Sequence, residues 1–97
     1  MSENTVKRVR VQHLRRMKEQ REPITMLTCY DAVTARIFDA AGIDVLLVGD
    51  SYGNTCLGYE STVSVSLEEM EVPTAAVARA AKRAFIVADL PFGSYEE

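Results

Sequence analysis

The stretch that decides the fold is DVLLVGDSYGN, residues 44–54, in which four consecutive apolar residues lead into an acid, a hydroxyl and two glycines. A strand that is apolar at every position is typical of a parallel sheet with helices packed on both faces. Residues 45–48 are therefore predicted to form such a strand. Asp50 and Ser51 then follow its carboxyl end, where α/β folds gather their functional residues.

Two further apolar runs are predicted to be buried strands. Residues 24–31, ITMLTCYD, form a short β-branched run that ends in polar residues, and residues 85–93, FIVADLPFG, form a run that closes on Asp89. Helical segments separate the three runs, so the strands are predicted to be parallel and joined by right-handed crossovers. The predicted fold class is α/β.

The first of the two connecting helices is bounded by a cap at each end. Asp31 suits the N-cap of AVTARIFDAAG, and Gly42 suits the left-handed position after the last turn. The apolar positions fall on one face, which is predicted to pack on the core: Val33, Ile37, Ala40 and Ala41.

The second connecting helix begins with a capping box between Ser66 and Glu69 and is predicted to run toward Arg83. Pro73 lies inside this helix. A proline there removes a backbone hydrogen bond, so we expect it to kink the helix or to split it after the first turn.

The composition is that of one globular domain, with 97 residues of which 47% are hydrophobic and 26% are charged. No run approaches the length of a membrane span, and no apolar segment of a secretory signal is seen, so a cytoplasmic location is expected. Cys29, Cys56 and a single histidine, His13, indicate neither a zinc cluster nor a disulfide framework. Both cysteines are predicted to be small apolar fillers.

The excess of positive charge is local to residues 1–22, which hold seven Lys/Arg and three Asp/Glu. Residues 23–97 hold four Lys/Arg and eleven Asp/Glu, and are therefore acidic. Val11, Leu14 and Met17 recur at helical spacing in this segment. Aromatic residues and binding motifs are missing from it, so a solvated or docking helix is favoured over nucleic-acid binding. Its three acids argue against a transit peptide.

Asp50 and Asp89 follow neighbouring parallel strands, which lie about 4.8 Å apart. Either acid alone would be interpreted as a turn cap. Two acids at matching heights instead favour a metal site. Carboxylates without His or Cys nearby select a hard cation, and a site with one or two carboxylates suits Mg²⁺.

GDSYG, residues 49–53, also fits the G-x-S-x-G pattern of a hydrolase nucleophile elbow. An elbow requires a helix directly after the serine and a catalytic His later in the chain. Gly, Ser and Thr residues predict no helix after Ser51, and His13 precedes it. The hydrolase interpretation is therefore rejected.

The motifs MLTCYD, VLLVGDS, LGYESTVSVSLEEM and VADLPFGSY, in this order and at this spacing, resemble the N-terminal part of ketopantoate hydroxymethyltransferase. The resemblance implies a (β/α)8 TIM barrel of the phosphoenolpyruvate/pyruvate superfamily. Residues 1–97 would be the N-terminal part of that single domain. Residues 1–22 would form its basic N-terminal helix, and residues 23–97 its first three strands with two helices.

The resemblance also implies an activity and a set of site residues. A hydroxymethyl group would pass from 5,10-methylenetetrahydrofolate to 3-methyl-2-oxobutanoate through a Mg²⁺-stabilised enolate, giving 2-dehydropantoate for pantothenate and coenzyme A synthesis. Asp50 and Asp89 match the residues that bind Mg²⁺ and substrate, Ser51 matches a hydroxyl that holds the 2-oxo acid, and Tyr30 matches a nearby aromatic. No membrane partner is implied, and a homo-oligomer is expected at full length.

The family's catalytic base, with a Lys and a Glu of the substrate and metal shell, would follow Glu97, so no catalytic residue is expected within this chain. Two function classes remain open. The chain is a piece of a metal-dependent transferase, or it is a truncated, non-catalytic remnant that at most binds partners. The reading frame after Glu97 discriminates the two.

Overall fold

A computed structural model describes residues 7–91 and residue 93. Along this part of the chain, helices and strands alternate in the order α1 (Val11–Glu19), β1 (Met26–Thr28), α2 (Ala32–Ala40), β2 (Val45–Val48), α3 (Tyr52–Thr55), a 3₁₀ helix (Thr62–Ser64), α4 (Leu67–Ala80) and β3 (Phe85–Ala88). The predicted β-α-β-α-β arrangement is confirmed.

The three strands form one parallel sheet in the order β1-β2-β3. Met26 lies opposite Val45, and Val45 lies opposite Phe85. The central strand β2 is buried as predicted, and Leu46 and Val48 are fully enclosed. The predicted burial of the other two strands is wrong for all of β1 and for the end of β3, because each is an edge of this sheet and one of its sides faces no neighbouring strand.

Helix α2 has the predicted caps but presents the opposite face to the core. The N–H of Thr34 donates to Oδ1 of Asp31 at 2.7 Å, and Gly42 adopts a φ of +91°. However, Ala35 is the fully buried residue of this helix, whereas Val33 and Ile37 are each 61% exposed. The predicted core face is therefore wrong. Ala35 is small enough for α2 to pack closely, and the larger apolar side chains lie outside.

Helix α4 begins with the predicted capping box between Ser66 and Glu69 and contacts α2, β2 and β3. It runs without interruption through Pro73, so the split alternative is wrong, whereas the kink alternative stays a prediction. The helix runs toward Arg83 as predicted but ends at Ala80, three residues before it. The Pro73 ring is fully buried, and this apolar burial offsets the missing hydrogen bond. The buried face of α4 consists of Met70, Pro73, Val77 and Ala80.

The amino ends of the strands are held by a polar network. The Asp39 carboxylate accepts hydrogen bonds from the backbone N–H groups of residues 82–84, at 2.8 to 3.3 Å. Arg83 forms an ion pair of 3.1 Å with the largely buried Asp44. The Arg8 guanidinium donates to two backbone carbonyl oxygens between α4 and β3. This network fixes the end of the sheet opposite to Asp50.

The basic N-terminal segment docks through the residues that precede its helix. Val9 is buried and its N–H donates to the carbonyl oxygen of Arg83 at 2.7 Å, but α1 itself buries none of its residues. Of the two alternatives predicted for the basic segment, α1 is a solvated helix, whereas Arg8 and Val9 dock on the rest of the fold. No helix in the described ranges has both the length and the apolar character needed to cross a membrane.

Candidate functional site

Asp50 and Asp89 meet at the carboxyl end of the sheet. The N–H of Asp89 donates to the carbonyl oxygen of Val48 at 3.0 Å, which extends the parallel ladder and places Asp89 opposite Gly49. Asp50 thus lies one residue beyond the predicted matching height. The turn after Gly49 nevertheless brings the Asp50 backbone to Asp89, because the N–H of Asp50 donates to Oδ2 of Asp89 at 3.0 Å.

The charge around these two acids is suited to a hard cation. Both residues are partly buried, and in the described ranges no Lys or Arg forms an ion pair with either carboxylate. Two carboxylates offer the oxygen ligands that Mg²⁺ prefers, and water or substrate oxygens can complete its coordination. Among residues 7–91 and 93, no third His, Cys, Asp or Glu joins them to form a larger cluster.

Ser51 lies at the start of helix α3, which follows it immediately. The prediction that no helix follows Ser51 is therefore wrong, and this ground for rejecting a nucleophile elbow fails. A different ground replaces it. Ser51 has φ −60° and ψ −11°, an ordinary helical backbone, whereas an elbow serine occupies a strained turn. His13 still precedes Ser51 in the chain.

The Ser51 hydroxyl is hydrogen-bonded to the phenolic oxygen of Tyr30, which lies two residues after β1. The ring of Tyr30 also packs on that of Tyr52, with centroids 5.9 Å apart and planes tilted by 50°. Tyr52 was not predicted as part of the site. No motif marks it, and it is brought there by the turn of α3.

Gly49 lies between the acid and hydroxyl parts of the site. A Cβ added at Gly49 would lie 3.4 Å from Oδ2 of Asp89 and 3.6 Å from Oγ of Ser51. The same small volume is thus bordered by a carboxylate oxygen from one strand end and a hydroxyl from the next. The four residues predicted from the sequence, Tyr30, Asp50, Ser51 and Asp89, are linked through these contacts.

A model of one protein family, described as ketopantoate hydroxymethyltransferase, matches residues 8–97. A 3-methyl-2-oxobutanoate hydroxymethyltransferase of Leifsonia xyli is 61% identical over 90 residues, covering 93% of this chain and 32% of the relative. One from Corynebacterium efficiens is 53% identical over 96 residues, covering 99% of this chain and 36% of the relative. The chain therefore spans about a third of the length of these curated relatives. With 90 of its 97 residues inside the family match, the chain belongs to the ketopantoate hydroxymethyltransferase family.

Proposed function

We propose that residues 1–97 form the N-terminal part of a (β/α)8 barrel that transfers a hydroxymethyl group from 5,10-methylenetetrahydrofolate to 3-methyl-2-oxobutanoate. The product would be 2-dehydropantoate, the precursor of pantothenate. The family match supports the reaction class, and the parallel sheet supports the barrel. One observation carries the proposal for this segment: the contact between Asp50 and Asp89 at the active-site end of two adjacent strands.

In this proposal Asp50 and Asp89 hold Mg²⁺ together with the 2-oxo acid. The Asp50 N–H donates a hydrogen bond to Oδ2 of Asp89, which would fix the orientation of that carboxylate at the strand ends. When bound, Mg²⁺ would withdraw charge from the keto and carboxylate oxygens of the substrate, which makes the neighbouring C–H more acidic. The two aspartates contribute binding and orientation.

Ser51 is proposed to hold the oxo acid by a hydrogen bond and not to attack it. If the Tyr30 hydroxyl donates to Oγ of Ser51, the Ser51 hydrogen is free to point at a substrate oxygen. Tyr30 would thus set the direction of the Ser51 hydroxyl. We assign the base that removes the substrate proton to later strands of the barrel.

The experiment that tests this proposal needs a chain of full family length. We define the full-length hybrid as the Leifsonia xyli relative in which the matching segment is replaced by residues 8–97 of this chain. Turnover of 3-methyl-2-oxobutanoate with 5,10-methylenetetrahydrofolate and Mg²⁺ is measured for the hybrid and for its parent. Turnover by the hybrid, lost on chelation and restored by Mg²⁺, supports the proposal. A folded hybrid without turnover contradicts it and favours the non-catalytic remnant.

A further inference from the structure

Helix α3 is too short to be stable without outside support. It has four residues, whereas isolated helices shorter than about 12 residues are marginal in water. Its first residues nevertheless define the candidate site, because Ser51 is the N-cap and Tyr52 packs on Tyr30. The Ser51 carbonyl oxygen accepts from the N–H groups of Asn54 and Thr55, both at 2.9 Å. Any movement of α3 therefore moves Ser51.

The segment that follows α3 packs back on it at Gly53. Gly53 is buried, and a Cβ added there would lie 2.1 Å from Cγ2 of Val65 and 3.3 Å from the ring of Tyr59. The N–H of Tyr59 donates to the carbonyl oxygen of Gly53 at 2.8 Å, and the Asn54 side chain donates to that of Tyr59 at 2.8 Å. Tyr59 is thus bonded to α3 at two consecutive residues.

Tyr59 is in turn tied to the rigid part of the fold. Its hydroxyl donates to Oε2 of Glu69, whose Oε1 accepts from the N–H of Ser66 at 2.9 Å. Glu69 lies in the first turn of α4, the helix whose residues Met70, Pro73, Val77 and Ala80 are buried in the core. The contacts therefore run without a gap from α4 through Glu69, Tyr59 and Gly53 to α3.

From this chain of contacts we propose that Tyr59, held by Glu69, is a positioning residue that fixes α3 and through it the Ser51 hydroxyl. Tyr59 acts through α3, because its hydrogen bonds go to Gly53 and Asn54 of that helix and to Glu69 of α4. The inference rests on the proposed function, since the consequence of a misplaced Ser51 is weaker binding of the oxo acid.

The test is made in the full-length hybrid with Tyr59→Phe, which removes the bond to Glu69 but keeps the ring against Gly53. We expect the KM for 3-methyl-2-oxobutanoate to rise by about two- to tenfold, the range for losing one hydrogen bond, while kcat changes less. Glu69→Gln keeps an acceptor for the Tyr59 hydroxyl, so its KM is expected to lie between those of the hybrid and Tyr59→Phe. Glu68→Gln, an exposed neighbour in the same turn, serves as the matched control and should leave KM unchanged.

A double-mutant cycle separates positioning from general loss of stability. If Tyr59 acts through Ser51, Tyr59→Phe should raise KM little further in a Ser51→Ala background. Equal effects of Tyr59→Phe in both backgrounds, or an unchanged KM in the single variant, would overturn the proposal.

Amide hydrogen exchange keeps the inference separate from the reaction itself. The amides of Asn54, Thr55 and Tyr59 should exchange faster in Tyr59→Phe than in Glu68→Gln, whether or not the hybrid turns over substrate. If the hybrid shows this exchange pattern but no turnover, the proposed function is contradicted and the positioning role of Tyr59 is retained. If the hybrid turns over substrate but the exchange rates are unchanged, only the positioning role of Tyr59 is contradicted.

Discussion

The hydroxyl groups of Tyr30 and Ser51 share a hydrogen bond between the ends of two neighbouring strands. Tyr30 follows β1 and Ser51 follows β2, so this bond joins two loops that are 21 residues apart in sequence. It leaves Ser51 with one proton that can point away from Tyr30, provided that the phenol is the donor. The arrangement suits a residue that orients a ligand.

Replacing Ser51 tests this role directly. Ser51→Ala in the full-length hybrid should raise the KM for 3-methyl-2-oxobutanoate by about two- to tenfold, because the proposed hydrogen bond from Ser51 to the substrate would be lost. A fluorophosphonate probe should leave the unmodified hybrid unlabelled, since Ser51 has an ordinary helical backbone and not the strained turn of a nucleophile elbow. Stoichiometric labelling of Ser51 would restore the hydrolase interpretation.

Tyr30→Phe separates the phenolic hydroxyl from the ring. The ring contact with Tyr52 should persist, but Ser51 loses the partner that sets the direction of its hydroxyl. We expect KM for the oxo acid to rise by less than in Ser51→Ala, with both changes falling within about tenfold. A larger effect for Tyr30→Phe than for Ser51→Ala would mean that Tyr30 contacts the substrate itself.

We expect the free energy of unfolding to depend on pH through the Asp39 carboxylate. Burial raises the pKa of Asp39, but the N–H groups of residues 84, 82 and 83 lower it more, so the net pKa lies below that of an ordinary Asp. Its stabilising effect is therefore complete above the usual Asp pKa and is lost as the pH falls through the lowered value.

Asp39→Asn should reduce the free energy of unfolding of the hybrid by about 1 kcal/mol at neutral pH, after allowance for solvent screening. The difference in free energy of unfolding between the hybrid and its Asp39→Asn variant should shrink as the pH falls below the ordinary Asp pKa of about 4. It should vanish once the pH has fallen through the lowered pKa of the native carboxylate. Urea unfolding at several pH values measures both effects. A constant difference across the acid range would contradict the assignment.

The 97-residue chain by itself is expected to be neither a well-packed monomer nor an active enzyme. Large apolar side chains are exposed on the sheet edge and on α2, including Met26 at 55%, Val33 at 61% and Ile37 at 61%. Open strand edges and apolar surface promote association. Sedimentation velocity should detect self-association, and no hydroxymethyl transfer should be measurable. A monomer with sharp two-state urea unfolding would refute the structural part, and turnover would refute the catalytic part.

The helix caps and the order of the strands can be predicted from the sequence. The caps at Asp31 and Gly42 and the capping box at Ser66 rest on contacts within a few residues, and all three are confirmed. The parallel order of the strands follows from the intervening helices and is also confirmed. The proximity of Asp50 to Asp89 could be expected from this order, although the one-residue offset could not.

The features that sequence reasoning missed depend on tertiary contacts. The apolar pattern predicts Val33 and Ile37 on the core face of α2 because they are more apolar than Ala35, but the small size of Ala35 lets α2 pack closely on that side. Helix α3 is not expected from its four residues alone, and a residue that follows it, Tyr59, donates a hydrogen bond to its backbone. Cys56 was predicted to be a buried filler and is exposed, whereas Cys29 is buried as expected.

The Mg²⁺-dependent rate of hydroxymethyl transfer in the hybrid and in its Asp50→Asn and Asp89→Asn variants tests whether these two aspartates hold the metal. Asparagine keeps the size of each side chain, and at residue 89 it keeps an acceptor for the Asp50 N–H, but it removes the charge that is proposed to hold the cation. Each variant should lose about 100-fold or more in rate. Glu71→Gln, an exposed acid on α4, should keep the full rate as the matched control. Full Mg²⁺-dependent activity in either aspartate variant would contradict the assignment.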